Sequence, residues 1–426
     1  MTSWSAPVAV APVSGRVVLP GSKSASARSL VLAAIADGTS RLTGVLDSRD
    51  TTLMRDGLVA LGASVTDLTA DTVAVTGLDE VRGGATIDCG LAGTVLRFLP
   101  PLAALAVEPT SFVGDPAASA RPVAPLLGAL TALGARVSEP HRLPFSVCGG
   151  PGLAGGTVEL DASGSSQFVS ALLLAGARFA EGIEVRHTGG ALPSVPHIEM
   201  TCTLLRRRGV SATRTSPSSW RVEPGPIAAI HEQVEPDLTN AATMLAAALV
   251  TGGRLTTAWP VDSVQPADQL AGVLEAFGAR VAYTASAGGR DLTVTAPDGV
   301  RAVDLDLHEV SEFTPVAAAL AAVADGPSRL RGVGHIRGHE TDRLAGLVAE
   351  LDRIGVHASQ TTDGIDVTPS ARHGAVFHTY GDHRMAHAGA LLGLVTPGVE
   401  LDDVECTTKT LPDFPGLWCG LLAGAR

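Results

Sequence analysis

A pattern that returns about every 70 residues limits most strongly what this chain can fold into. An amphipathic segment ends in glycine and runs on into an apolar residue at Leu61-Gly62-Ala63-Ser64-Val65, Leu133-Gly134-Ala135-Arg136-Val137, Arg208-Gly209-Val210, Phe277-Gly278-Ala279-Arg280-Val281 and Ile354-Gly355-Val356. The glycines are spaced 72, 75, 69 and 77 residues apart. A glycine after a periodic segment and before a β-type residue is a helix stop leading into a strand. A second segment, apolar on nearly every face, begins near Arg28, Arg97, Gln167, Asn240, Thr314 and Arg384, at spacings of 69, 70, 73, 74 and 70. A helix apolar all round must be covered on every side, inside a layered architecture. Strand-length alternations such as Thr157-Val158-Glu159-Leu160 and Gly364-Ile365-Asp366-Val367 lie in the same units. The chain therefore reads as six α/β units, each with a buried helix, a surface helix and several strands.

The sixth unit has a surface helix near Phe414–Leu422 but no chain left for a last strand, and Gly15–Leu19 belongs to no unit. If that stretch supplies the missing strand, residues 1–20 join residues 235–426 in a discontinuous lobe of three units. Residues 21–234 then form a continuous lobe of three, with crossovers near Pro20-Gly21 and Val234–Asp237 and a site expected in the cleft between the lobes.

Composition bounds the function. The 426 residues are 45% hydrophobic and 17% charged, enough for a large core and too apolar for global disorder. A net charge of −12 argues against a general nucleic-acid or anionic-membrane binder. No apolar run reaches the roughly 18 residues of a membrane helix, and the first 21 residues lack a basic start, so a cytoplasmic protein is expected. Five scattered cysteines without CxxC give neither a disulfide framework nor a cysteine zinc site. The pairs His335/His339 and His383/His387 have zinc spacing, but no HExxH occurs and no metal is expected. GxSxG, GxGxxG and GxxxxGK[ST] are all absent.

Only two of the 31 basic residues are lysines, Lys23 and Lys409, and both stand among small hydroxyl residues, as in an anion site. Polar clusters also mark the mouths of all six buried helices: Lys23, Ser24 and Arg28; Gly93, Thr94 and Arg97; Ser165, Ser166 and Gln167; Asp237 and Asn240; Glu312; and Asp382, His383 and Arg384. Capping accounts for the Ser, Thr, Asp and Asn residues. It does not account for Lys23, Arg28, Arg97 and Arg384, whose charge opposes the helix dipole. A cation at a helix N-terminus suggests an anion bound between the two.

These residues together resemble the 5-enolpyruvylshikimate-3-phosphate synthase family. The likeness runs from about Val17 to Leu422, through PGSKSASAR at 20–28, LAGTVLRF at 91–98, ARPV at 120–123, SSQF at 165–168, HETDRL at 339–344, DHRMA at 382–386 and TKTLPDF at 408–414. The resemblance implies a two-lobed inside-out α/β barrel, three βαβαββ repeats per lobe. It implies transfer of the enolpyruvyl group of phosphoenolpyruvate to the 5-hydroxyl of shikimate 3-phosphate, without metal or organic cofactor, by a monomer. By motif position, Lys23, Ser24, Arg28, Ser165, Ser166, Gln167, Ser194, Glu312, His335 and His339 would hold shikimate 3-phosphate. Lys23, Gly93, Arg121, Gln167, Arg343, Arg384 and Lys409 would hold phosphoenolpyruvate. Glu312 would be the base for the hydroxyl proton, Glu340 the acid near the methylene carbon, and Lys23 would share the proton traffic.

The chain departs from the family pattern at Ala27, where Asn is common, at His197 for Tyr, at His335 for Asn and at His339 for Lys. Histidine in place of lysine implies a partly charged site and substrate affinity that falls as pH rises. Ala27 leaves open a paralogue acting on a related acceptor in specialised metabolism. The UDP-N-acetylglucosamine enolpyruvyl transferases share the implied fold, but the loop Gly114–Ala120 lacks their reactive cysteine. A six-fold DNA-clamp ring does not explain polar clusters at the mouths of buried helices.

Overall fold

The computed structural model describes residues 3–139, 141–150, 153–286, 289–296 and 299–424. It divides into two compact units, one of residues 21–235 and the other of residues 1–20 with 236–426. Each contains three sheets and three buried helices, in βαβαββ repeats.

The second repeat shows the plan. Strand Thr86–Asp88, helix Gly93–Ala103, strand Thr110–Val113, helix Ala124–Ala132 and strands Arg136–Val137 and Phe145–Cys148 follow one another. The first two strands pair in parallel and the others antiparallel, in the sheet order first, second, fourth, third. The third and fifth repeats match it strand for strand.

Burial makes the first helix of each repeat. In Leu238–Thr251, for example, Leu238, Met244, Leu245 and Leu249 are all at most 1% exposed. Each such side chain contributes roughly 1.5–3 kcal/mol on burial, which outweighs propensity differences below about 1 kcal/mol per residue. The helix Gly93–Ala103 even accommodates Pro100 and Pro101, with Phe98, Leu99 and Leu102 buried around them. The surface helices stop as the repeat implies: the five marker glycines take positive φ, from +80° at Gly209 to +114° at Gly62.

The N-terminal strand corrects an expectation. The stretch placed at Gly15–Leu19 forms a strand over Ser14–Arg16, but it pairs in parallel with Arg254–Ala258 in the fourth repeat. The sixth repeat's sheet is instead completed by Trp4–Ser5, antiparallel to Glu400–Leu401. The reason is the plan itself: a repeat opens with a strand parallel to its second one. In the first repeat that place is taken by His231–Gln233, beside Thr39–Thr43. The two opening strands are thus exchanged between the units relative to the chain order. A buried pair fixes the exchange in the 21–235 unit: Arg208 Nη2 donates to Glu232 Oε2 at 2.8 Å and Ser29 Oγ to Glu232 Oε1 at 2.7 Å. No helix among the described residues is long and apolar enough to cross a membrane.

Candidate active site

In the 21–235 unit the mouths of the three buried helices are tied together by side chains. Ser22 caps the helix Lys23–Ala34, and Lys23 Nζ lies 3.8 Å from Asp50 Oδ2. Arg28, one turn in, is buried. Its Nε donates to Thr201 Oγ1 at 2.8 Å, its Nη2 to Ser170 Oγ at 3.2 Å and His197 O at 3.1 Å, and its Nη1 to the Ser24 carbonyl at 3.0 Å. Its guanidinium stacks over Phe98, 5.0 Å from the ring centre. All these partners are neutral, and burial pulls Arg28 down to about 9.

Arg97 Nη1 donates to Gln167 Oε1 at 2.8 Å, joining the second and third helices, and its Nε and Nη2 donate to Pro122 O. Arg121 Nη1 donates to Leu91 O at 2.8 Å, while its buried Nε has no hydrogen-bond partner among the described residues. The two guanidinium groups meet at Gly93, where an added Cβ would lie 2.8 Å from Arg97 Nη1 and from Arg121 Nη2. Among the described residues no carboxylate pairs with either arginine. Burial, and then the charge of Arg121, drive the pKa of Arg97 well down. Ser165 Oγ accepts from Gln167 N at 3.2 Å, and Ser166 is buried beside it. Ser194 opens the helix Val195–Arg207 at φ 49°, ψ 47°. That left-handed conformation is unfavourable for a non-glycine residue and recurs at functional positions. Ala27, the oddest departure, is 2% exposed and packed in the helix layer.

The 236–426 unit answers with charges in balance. Arg343, the first residue of the helix Arg343–Arg353, is 1% exposed and holds three carboxylates. Its Nε and Nη2 donate to Asp382 at 2.7 and 3.2 Å, Nη1 to Glu312 Oε2 at 2.9 Å, and Nη2 to Glu340 Oε2 at 2.8 Å. Arg384 Nη1 donates to Asn240 Oδ1 at 2.7 Å, and its Nε lies 3.7 Å from Glu312 Oε2. Lys409 Nζ pairs with Glu340 Oε1. Glu312, Glu340, Arg343, Arg384, Lys409 and His339 thus form one cluster, with His339 Nδ1 3.0 Å from Arg343 Nη1 and 3.3 Å from Glu312 Oε1.

Burial alone would raise the Glu312 carboxyl, but Arg343, His339 and Arg384 outweigh it and hold Glu312 well below the usual carboxylate range. At neutral pH it is an ionised, part-exposed acceptor, as a base must be. His335 donates to or accepts from Ser311 Oγ at 2.9 Å. Burial first, then His339 and His308, push it down to about 3, so it is a neutral ring. Glu340, expected to be the acid, has a cation on each oxygen, Lys409 on Oε1 and Arg343 on Oε2.

Glu340, Asp382 and His383 bring ligand atoms within 4.8 Å of one another. Arg343 donates to both carboxylates, so a divalent cation there would face a guanidinium, and the donor set does not suit a metal. His383 and His387 lie edge to face at 6.0 Å in the helix His383–Gly393, and both ring nitrogens of His387 are buried without a hydrogen-bond partner among the described residues.

Several residues of these clusters are not among those the motifs assign to substrate. Arg97, Asn240 and Asp382 stand at helix mouths, and their polar character at an apolar helix was the signal.

Comparison with known proteins agrees along the whole chain. The family model described as EPSP synthase (3-phosphoshikimate 1-carboxyvinyltransferase) matches residues 8–418. A 3-phosphoshikimate 1-carboxyvinyltransferase of Mycobacterium ulcerans (strain Agy99) is 50% identical over 429 residues, covering 99% of this chain and 98% of that protein. Among solved structures, EPSP synthase from Acinetobacter baumannii superposes with a TM-score of 0.81 at 23% identity, over 98% of this chain and 97% of that one. The enolpyruvyl transferase NikO from Streptomyces tendae does so with a TM-score of 0.74 at 20% identity, over 97% and 96%. These two likenesses speak to the fold.

Proposed function

Because the chain belongs to the EPSP synthase family, we propose that it transfers the enolpyruvyl group of phosphoenolpyruvate to the 5-hydroxyl of shikimate 3-phosphate, releasing phosphate, and that both clusters serve this reaction. The observation that carries the mechanism is Glu312, held ionised by Arg343 with His339 and Arg384 beside it. Its carboxylate takes the hydroxyl proton as the oxygen bonds to C2 of phosphoenolpyruvate. A proton is added at C3, giving a tetrahedral adduct. Loss of a proton from C3 and of the phosphate restores the double bond in the product.

Arg121, Gly93, Gln167, Lys23, Arg343, Arg384 and Lys409 bind the phosphate and carboxylate of phosphoenolpyruvate. Lys23, Ser24, Arg28, Ser165, Ser166, Gln167, Ser194, Glu312, His335 and His339 bind shikimate 3-phosphate, Arg28 by ordering Ser24 and the Ser170–Thr201 wall. Anions that draw Lys409 and Arg343 from Glu340 free it to carry the proton for C3, with Lys23 as the second carrier. In this reading the enzyme is a cytoplasmic monomer and needs no metal or cofactor.

The test is phosphate release from phosphoenolpyruvate with and without shikimate 3-phosphate, with the product weighed. Release that depends on the shikimate, with a product heavier by one enolpyruvyl unit, is expected. Release only with a different cyclohexene alcohol would move the assignment to a paralogue. Lys23→Met should abolish turnover with an unchanged circular-dichroism spectrum, and near-normal turnover would remove Lys23 from the mechanism.

A further inference from the structure

One face of the helix Arg343–Arg353 makes contacts that the mechanism above does not use. Arg343, Gly346 and Glu350 follow at i, i+3 and i+7 and so share a stripe. Arg343 holds Asp382. Gly346 lies under the Tyr380 ring, where an added Cβ would be 3.3 Å from Tyr380 Cε2. Glu350, 0% exposed, accepts from Tyr380 OH at 2.7 Å, from His378 N at 2.9 Å and from Arg353 Nε at 3.0 Å.

The segment so held is bent. Tyr380 has φ 57° and Gly381 φ 67°, one turn before the helix His383–Gly393. Glycine takes that conformation freely and tyrosine does not, so tertiary contacts must impose it. Asp402 grips the same segment from the other side, accepting from Thr379 N at 2.8 Å and pairing with His378 Nδ1 at 2.8 Å. Burial and the Glu350 carboxylate push the Tyr380 phenol up to about 12, so its OH donates throughout the neutral range.

Downstream of the bend come Asp382, which orients Arg343, and Arg384. Both guanidinium groups converge on Glu312 Oε2, Arg343 at 2.9 Å and Arg384 at 3.7 Å. We propose that Glu350 and Tyr380 are positioning residues that lock the Tyr380–Asp382 turn onto the Arg343 helix and thereby set the spacing of Arg343 and Arg384 for the phosphoenolpyruvate anion. This rests on the reading that those two arginines bind phosphoenolpyruvate.

The test is steady-state kinetics of the full-length enzyme, varying each substrate at saturation of the other. Tyr380→Phe removes one hydrogen bond to a buried carboxylate, and KM for phosphoenolpyruvate should rise about tenfold while KM for shikimate 3-phosphate stays within about twofold. Glu350→Ala should show the same selectivity, and Glu350→Gln, whose amide oxygen still accepts from Tyr380, should restore most of the affinity. If Tyr380→Phe or Glu350→Ala fails to fold, Gly346→Ala tests the same contact by displacing the ring. A lowered Tm with both KM values unchanged, or with both raised equally, overturns the proposal. Arg384→Lys separates the two layers: if it leaves phosphoenolpyruvate affinity intact the underlying reading fails, and if it weakens that affinity while the Tyr380 and Glu350 variants do not, only the positioning role fails.

Discussion

The two units share one repeat plan and one set of helix mouths, yet they settle their charges in opposite ways. In residues 21–235, Arg28, Arg97 and Arg121 are met by hydroxyls, carbonyls and an amide, and among the described residues none has a carboxylate partner. In residues 236–426, Arg343 alone gathers Asp382, Glu312 and Glu340, and Lys409 sits on Glu340. A buried cation facing only dipoles lacks the countercharge that burial demands, which supports the proposal that an anion binds at the first set. The second set is complete in the free protein. In the proposed function, an incoming anion there competes with the carboxylates for the cations. The same architecture thus yields cations without carboxylate partners in one unit and cations already held by carboxylates in the other.

The sharpest way to break this contrast is Glu312→Gln. If the second cluster does the chemistry, kcat should fall by about two to four orders of magnitude with little change in either KM. A change confined to KM would make Glu312 another binding residue. Because its pKa is depressed, Glu312 protonates only as pH falls through that lowered value. The wild-type rate should therefore show no loss of this base above about pH 5.

Gly93→Ala probes the first cluster. The new Cβ would press on the tips of two flexible side chains, so folding should survive, but Arg97 and Arg121 would separate. Phosphoenolpyruvate KM should rise about tenfold or more, since small displacements of binding groups cost that much. An unchanged KM would mean that the paired arginines are not the anion site.

The smallest expected effect concerns an exception within the balanced unit. His387 is held far below its usual pKa by burial, then by Arg384 and Arg343. The folded state keeps it neutral, whereas the unfolded chain takes up a proton below about pH 6.5. Stability is therefore unaffected above that pH and falls as pH drops, by up to about 1.4 kcal/mol per pH unit. His387→Met should flatten the fall in Tm between pH 7 and 5, and an unchanged slope would show that another group controls it.

The repeat period, the buried helices and the polar residues at their mouths were legible in the sequence. Periodicity and burial are local consequences of side-chain order, and a lysine or arginine in an apolar helix stands out without a structure. Ser14–Arg16 was legible as a strand, but not its partner, because a short strand carries no mark of which distant edge it will join. The exchange with His231–Gln233 sets Glu232 against the buried Arg208, a pair that only the folded chain can form.

The same division runs through the candidate site. Sequence placed Glu312 and Lys409 among the residues of interest by their own setting, and Arg343 by the family resemblance. It left open that Arg343 would hold three carboxylates, that Glu340 would lie between two cations, or that His335 would be neutral. Those properties are sums over charges and burial within a few ångströms, contributed by segments up to 69 residues apart in sequence, as in the pair Glu340–Lys409. Sequence alone determined the unit that repeats and the chemistry offered at each mouth. Tertiary structure decided which charges neutralise one another, because electrostatic energy depends on distance through space and not on position along the chain.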